Sequence, residues 1–222
     1  MARVSTALLY FLPGAGSFAP HVLLEATGME HELVRVVRDD DGRPVEPQAY
    51  LALNPSGRIP TLIWPDGTVQ TESAAISLAL AEHAGRHALA PAPADPARPA
   101  FLSRLVFLTN TVQVAILRAR YPQRFADGDE ARAVVVAHAQ AELAVLRERC
   151  AAWYAETPFA RGDEPGVDDV FLGMLIRWTR LTAEPWWDEP ALGAFYDRFH
   201  ALAAVQAARE QEGFEIRPPA GT

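Results

Sequence analysis

Asn54-Pro55-Ser56-Gly57-Arg58-Ile59-Pro60-Thr61-Leu62, followed after one hairpin by Thr71-Glu72-Ser73-Ala74-Ala75-Ile76, decides how this chain is read. Pro60 stands before a short apolar strand, Thr61 to Trp64. It carries no N–H, and it biases Ile59 toward an extended conformation. Ile59 can then offer its own N–H and C=O to something outside the chain, as an edge strand offers them to a peptide. Further on, Thr71-Glu72-Ser73 opens a helix. Free N–H groups and a hydroxyl therefore stand where a carboxylate would bind, although the same residues also suit a plain N-cap. A peptide-binding edge beside an anion-binding helix start suits a small acidic peptide.

The composition sets wide bounds around this centre. The chain has 222 residues, 50% of them hydrophobic and 22% charged, enough for one large or two small globular domains. Its formal net charge is −8, and its 20 basic residues are all arginine. The lack of lysine excludes Schiff-base and P-loop chemistry. An acidic chain without a basic stripe argues against nucleic acid. One cysteine, Cys150, excludes an intramolecular disulfide and fits a reducing compartment. The start of the chain imitates a short signal peptide, with Arg3, the apolar run Ala7 to Leu12 and then small residues. That run is brief and ends at Pro13. No apolar run approaches a membrane span by inspection. The expectation is a cytoplasmic protein with neither nucleic-acid nor membrane partner.

The order of elements is legible in outline. Leu8 to Leu12 and Glu32 to Val37 read as strands, and Ser17 to Thr27 reads as a helix stopped at Gly28. Gln48 to Leu53 is a short helical turn. Thr61 to Trp64 and Thr68 to Gln70 flank the turn signal Pro65-Asp66-Gly67, and Glu72 to His83 is an alanine-rich helix. This gives βαβ, α, ββα, a small mixed sheet with a parallel crossover. Arg86 to Ala100, with four prolines, reads as an extended linker. Beyond it the pattern is helical. Leu143, Leu146, Cys150 and Trp153 share one face of a helix starting near Asp129, and Val170 to Leu181 and Ala191 to Ala208 carry two more.

The motifs N-P-x-G-x-[IV]-P-x-L and [ED]-S-x-A-I, at this spacing, resemble the glutathione site of soluble glutathione transferases. The element order matches as well: an N-terminal α/β thioredoxin-like domain (1–86), a proline-rich linker (87–99) and an all-α domain (100–222). The resemblance implies that Pro60 is cis and that the backbone of Ile59 pairs with the cysteinyl part of glutathione. It further implies that Glu72 meets the γ-glutamyl ammonium and that Ser73 meets the carboxylate. Arg58 stands where some classes bind the glycyl carboxylate, and a solvated arginine there is an equal reading. Leu9-Tyr10-Phe11-Leu12-Pro13-Gly14-Ala15-Gly16-Ser17 is similar to the beta-class pattern L-Y-Y-x-P-G-A-C-S, with Gly16 in place of the cysteine.

The chemistry of that class requires a thiolate. Ser17, a favoured N-cap residue, is the expected donor to the sulfur, with Tyr10 as the alternative; in a strand Tyr10 and Phe11 point to opposite faces. Without a cysteine at the site, conjugation with glutathione as nucleophile is favoured over thiol–disulfide exchange. The resemblance places the pocket for a small hydrophobic electrophile around Leu12, Phe18, Phe107, Asn110, Gln113 and Tyr121, and it implies a homodimer. Glutathione is the expected co-substrate, and no metal is expected, because His83 and His87 lack further ligands and Asp39-Asp40-Asp41-Gly42 lacks a calcium loop's later Glu. Gly166 and Asp169 match the family's capping motif with glycine at the cap. The rival reading is a family member that binds a hydrophobic ligand or partner protein without turnover.

Overall fold

A computed structural model describes residues 6–37 and 47–216. The acidic turn at 39–42 and Arg3 lie outside the described residues. The first elements follow the expected order: β1 (Ala7–Phe11), α1 (Phe18–Thr27), β2 (His31–Arg35), α2 (Pro47–Leu53), β3 (Thr61–Ile63), β4 (Val69–Thr71) and α3 (Ser73–His83). The sheet order is β2-β1-β3-β4. β1 runs parallel to β2 and antiparallel to β3, and the β3–β4 hairpin pairs Thr61 with Thr71.

Alternation along β1 buries Ala7, Leu9 and Phe11 and leaves Leu8 and Tyr10 partly exposed. The Tyr10 ring lies 5.6 Å from that of Tyr50 on α2. Tyr10 and Phe11 therefore do face opposite ways, as strand geometry requires. Gly28, at φ 71°, ends α1 in the left-handed conformation that glycine adopts without steric penalty.

The later helices are α4 (Arg98–Phe107), α5 (Gln113–Arg120), α6 (Asp129–Ala151), α7 (Val167–Trp178), α8 (Pro190–Ala201) and α9 (Ala203–Glu212). The chain forms two compact units. One comprises the described residues up to His87 together with those from Leu202 onward, and the other spans Ala88–Ala201. This corrects the expected 100–222 helical domain. α9 packs on α1, burying Val205, Ala208 and Glu212. Its apolar stripe announced that it would be buried but not against what.

Three further details depart from the sequence reading. The expected helix Ala191 to Ala208 is broken at Leu202, whose backbone is extended. α6 ends at Ala151, so Tyr154, not Trp153, takes the buried position beyond it. The proline-rich strap yields to helix already at Arg98, because a proline in the first turn removes only a donor that would have no helical partner. The stretch Arg98–Arg120 is helical throughout, with a π turn at Leu108–Val112 joining α4 to α5. By length and composition it is long and apolar enough to cross a membrane, contrary to expectation. Its apolarity has a use within this unit: Phe101, Leu105, Leu108, Val112, Ala115 and Ile116 are buried, and the helix packs on α6 and α7.

α7 is the core of the helical unit, with every residue from Val167 to Ile176 buried. A helix start this deep needs protein partners for its orphan amides. The Val167 N–H donates to the Leu89 carbonyl at 2.9 Å. Gly166 has no side chain to contribute, so the cap comes from Asp169 reaching back. Its carboxylate accepts from the Gly166 N–H (2.7 Å), the Ala160 N–H (2.9 Å) and the Tyr154 hydroxyl (2.9 Å). Burial keeps the Tyr154 hydroxyl protonated by raising its pKa well above the usual value, so it serves as a donor. Neighbouring Asp168 pairs with Arg104, whose Nε lies 2.7 Å away.

Asp169→Ala leaves a buried amide, a part-buried amide and a buried hydroxyl without their acceptor, and we expect a loss of about 1–3 kcal/mol in denaturant melts at neutral pH. A wild-type midpoint would show that the carboxylate contributes nothing. The pH dependence is a separate test. Burial, and then the Asp168 carboxylate, push the Asp169 carboxyl up to about 6 against the pull of its donors. A carboxyl with a higher pKa folded than unfolded holds its proton more tightly in the folded state. Its contribution to stability therefore declines as pH rises from about 4 through about 6. Wild type should lose stability relative to Asp169→Asn across that window; a constant difference contradicts it.

Candidate functional site

The Asn54–Thr61 loop is built by side chains that bind its backbone. The Asn54 Oδ1 accepts from the Ser56 N–H (3.1 Å) and hydroxyl (2.6 Å), an Asx turn that reverses the chain, with Gly57 at φ 62°. The Asn54 amide donates to the Arg58 carbonyl (2.8 Å) and to the Thr61 hydroxyl (3.1 Å). The Tyr50 hydroxyl donates to the same Arg58 carbonyl at 2.5 Å and lies 2.9 Å from Thr61 Oγ1. Both flanks of Ile59 are thus tied down. The N–H and C=O of Ile59 itself have no partner among the described residues. The Ile59–Pro60 bond is cis, as the resemblance implied. Sequence reading missed Tyr50, and the available signal was its position four residues before Asn54 on a short helix.

The loop between β1 and α1 faces this edge. The Ala15 N–H donates to the Leu12 carbonyl (3.0 Å), and the Gly14 N–H donates to the Glu212 carboxylate (2.8 Å). Ser17 stands at the N-cap position of α1, as expected, but its side chain serves another partner. Its backbone is helical (φ −75°, ψ −16°), and its side chain makes no cap bond. The hydroxyl, fully buried, donates to the Leu12 carbonyl and accepts from the Leu12 N–H, each at 3.2 Å. It clasps the loop shut. The amides of Gly16 and Ser17 have no hydrogen-bond partner among the described residues. Gly16 lies directly against the edge, since a Cβ there would stand 3.1 Å from the Ile59 carbonyl oxygen and 3.6 Å from Pro60 Cδ.

The start of α3 completes the arrangement. Glu72, at φ 70° and ψ 111°, has a left-handed φ that a non-glycine residue adopts only under constraint from its surroundings. Its side chain is exposed. The Ser73 hydroxyl donates to the Gly16 carbonyl at 2.5 Å, locking α3 to the α1 loop. That commits the hydroxyl proton, so the group expected to meet a carboxylate can offer a ligand only its lone pair. The N–H groups of the first turn of α3 remain for an anion. Arg58 is exposed, and its guanidinium has no partner among the described residues.

The remaining expected residues are distributed less favourably. Leu12 is half-buried, but Phe18 is core, packed edge-on against Phe214 at 4.9 Å between ring centroids. Phe107 packs against Trp153 with Arg149 over its face, and Arg120 and Arg124 stack on Tyr121. Asn110, in the π turn, is exposed and Gln113 half-buried. Cys150 is fully buried, and burial pushes its thiol up to about 12.

Residues 17–83 match the family described as glutathione S-transferase, N-terminal domain. Over 210 residues the chain is 30% identical to glutathione S-transferase GST-4.5 of Xanthomonas campestris pv. campestris, covering 92% of this chain and 98% of the relative. The chain belongs to the glutathione S-transferase family. A glutathione transferase homologue from Sulfitobacter, solved with bound glutathione, is 25% identical with a TM-score of 0.84, covering 95% of this chain and all of that one. The beta-class enzyme of Sphingomonas chungbukensis is 28% identical with a TM-score of 0.78, covering 93% and 98%. This transferase therefore has the architecture of its family, an N-terminal mixed sheet with helices followed by a mostly helical part.

The loop architecture is open to direct test. Tyr50→Phe removes one donor from an Arg58 carbonyl that Asn54 still holds, and it should cost about 1 kcal/mol. Asn54→Ala strips four hydrogen bonds from the same loop and should lower the thermal midpoint distinctly further. Equal midpoints for the two variants would show that the Asn54 network does not hold the loop.

Proposed function

We propose that this transferase binds glutathione along Ile59, with the cysteinyl N–H and C=O paired to the free main-chain groups of that residue. The γ-glutamyl carboxylate meets the first-turn amides of α3, Glu72 takes its ammonium, and Arg58 takes the glycyl carboxylate. The sulfur then lies toward the unpaired amides of Gly16 and Ser17. One observation carries the reading: three sets of unpartnered main-chain groups converge, and the Ser73–Gly16 hydrogen bond joins the two helix starts. The glutathione bound to the Sulfitobacter homologue supports the choice of ligand.

The amides do the chemical work in this scheme. Two N–H donors at the positive end of α1 stabilise a thiolate as oxyanion-hole donors stabilise an oxyanion. Holding the thiol two units below its free value of about 8.5 takes about 2.7 kcal/mol, within the range of such donors. The thiolate attacks a small hydrophobic electrophile, and half-buried Leu12 supplies apolar surroundings on the α1 loop. With glycine at position 16 and Cys150 buried, the reaction is conjugation or addition, not disulfide exchange. The family resemblance further supports a cytoplasmic homodimer with neither nucleic-acid nor membrane partner.

Two substitutions at one position separate hydroxyl from amide. Ser17→Ala keeps the N–H and removes the clasp, whereas Ser17→Pro also removes the N–H at a φ that proline tolerates. Ultraviolet absorbance of bound thiolate, titrated against pH, reads the outcome. We expect Ser17→Ala to keep a thiolate at neutral pH, and Ser17→Pro to shift its titration toward that of free glutathione. A lost thiolate in Ser17→Ala would return the role to the hydroxyl. Failure of wild type to be retained on immobilised glutathione would overturn the site.

A further inference from the structure

His21, Glu25 and His31 bring their ligating atoms within 4.8 Å of one another. His21 and Glu25 lie one turn apart on α1, and His31 opens β2. Glu25 Oε1 is 3.4 Å from His31 Nε2 and 4.0 Å from His21 Nε2. The imidazoles are oriented from behind. Nδ1 of the fully buried His21 is 2.9 Å from the buried Glu212 carboxylate, and Nδ1 of His31 is 2.8 Å from the Met29 carbonyl. Both acceptors place a proton on Nδ1, so in the neutral ring each Nε2 turns a lone pair to the same space.

A fourth lone pair enters from α9. The Gln211 amide nitrogen donates to Glu25 Oε1 at 2.7 Å, which turns its Oε1 toward His21 Nε2, 3.2 Å away. A proton on Nε2 or a bound cation fills the space between them. A carboxylate behind one imidazole and a carbonyl behind the other are the outer-shell partners that metal-bound histidines have. An ion about 2.1 Å from each donor needs donor separations of about 3.4 Å. The Glu25–His31 pair meets that now; His21 Nε2, 4.0 Å from Glu25 Oε1 and within 4.8 Å of the other ligating atoms, joins once the imidazoles draw together around the ion.

We propose that this cluster is a structural divalent transition-metal site of two histidines and one carboxylate, with Gln211 Oε1 as the fourth donor. Imidazole nitrogen with carboxylate oxygen suits zinc and disfavours magnesium or calcium. The ion joins α1, β2 and α9. Through Glu212, which also holds the Gly14 amide, it braces the loop ahead of α1. The expectation of no metal weighed only His83 with His87 and the acidic turn at 39–42; here His21 and Glu25, one turn apart on α1, are joined by His31 from β2 and Gln211 from α9.

Protons on the imidazoles can fill the same space and compete with a metal ion, so the test is run at pH 8. Chelator-treated full-length protein is titrated calorimetrically with zinc chloride, and separately with cobalt(II), followed by visible ligand-field absorbance. The expected result is saturation at one ion per chain, with a raised thermal midpoint. Glu25→Gln and His31→Ala should each weaken binding at least about 10-fold, as should Glu212→Gln through the outer shell. Glu25→Gln conserves shape at a partly exposed position, so it reports even if His31→Ala misfolds. Absence of saturable binding, or affinity unchanged in Glu25→Gln, would overturn the proposal, the latter assigning the metal to other histidines.

Discussion

The architecture of the site rests on main-chain groups that the fold prevents from pairing with their own chain. Buried amides and carbonyls are almost always satisfied, because leaving one unpaired costs on the order of 1–3 kcal/mol. Among the described residues, Ile59 keeps both its N–H and C=O free and Gly16 and Ser17 keep their N–H groups free, while the residues around them are bound closely. Arg58 C=O has two donors, Leu12 has both of its groups engaged by Ser17, and Gly14 N–H is held by Glu212. The side chains that sequence reading assigns to the ligand thus act largely on the protein. Ser17 and Ser73 spend their hydroxyl protons on backbone carbonyls, and what they position is backbone.

This division of labour explains why a glycine can stand where the related beta-class pattern has cysteine. At position 16 any Cβ would crowd the Ile59 carbonyl at 3.1 Å. A glycine lets the start of α1 approach Ile59 most closely. The helical unit shows the same device in another setting. There a buried carboxylate, Asp169, closes a loop and caps α7 around a glycine that has nothing to contribute. In both places a side chain from elsewhere satisfies a backbone chosen for its shape.

Much of this was legible because the residues concerned impose local geometry. Asn54, Gly57 and Pro60 each restrict a turn or a peptide, so the loop around Ile59 could be read directly. The β1 alternation and the Gly166–Asp169 reach were local in the same sense. What failed was non-local. Ser17 looks like a cap, but its hydroxyl turns back five residues to Leu12. α9 has an apolar stripe with no sign that it covers α1. Glu212 lies 191 residues from His21, beyond any spacing rule. Phe18 read as pocket lining because its neighbour Phe214, which closes over it, is equally remote.

If the site consists of backbone held open, its amides must report ligand directly. Site-resolved amide hydrogen exchange, measured with and without glutathione, is the most direct test. Free protein should exchange quickly at Ile59, Gly16 and Ser17, and saturating glutathione should slow all three, together with Ser73 to Ala75. Gly14 and Ala15, already bonded, should change little. Glutathione binding that leaves Ile59 and Gly16 exchanging at their free rates would contradict the account.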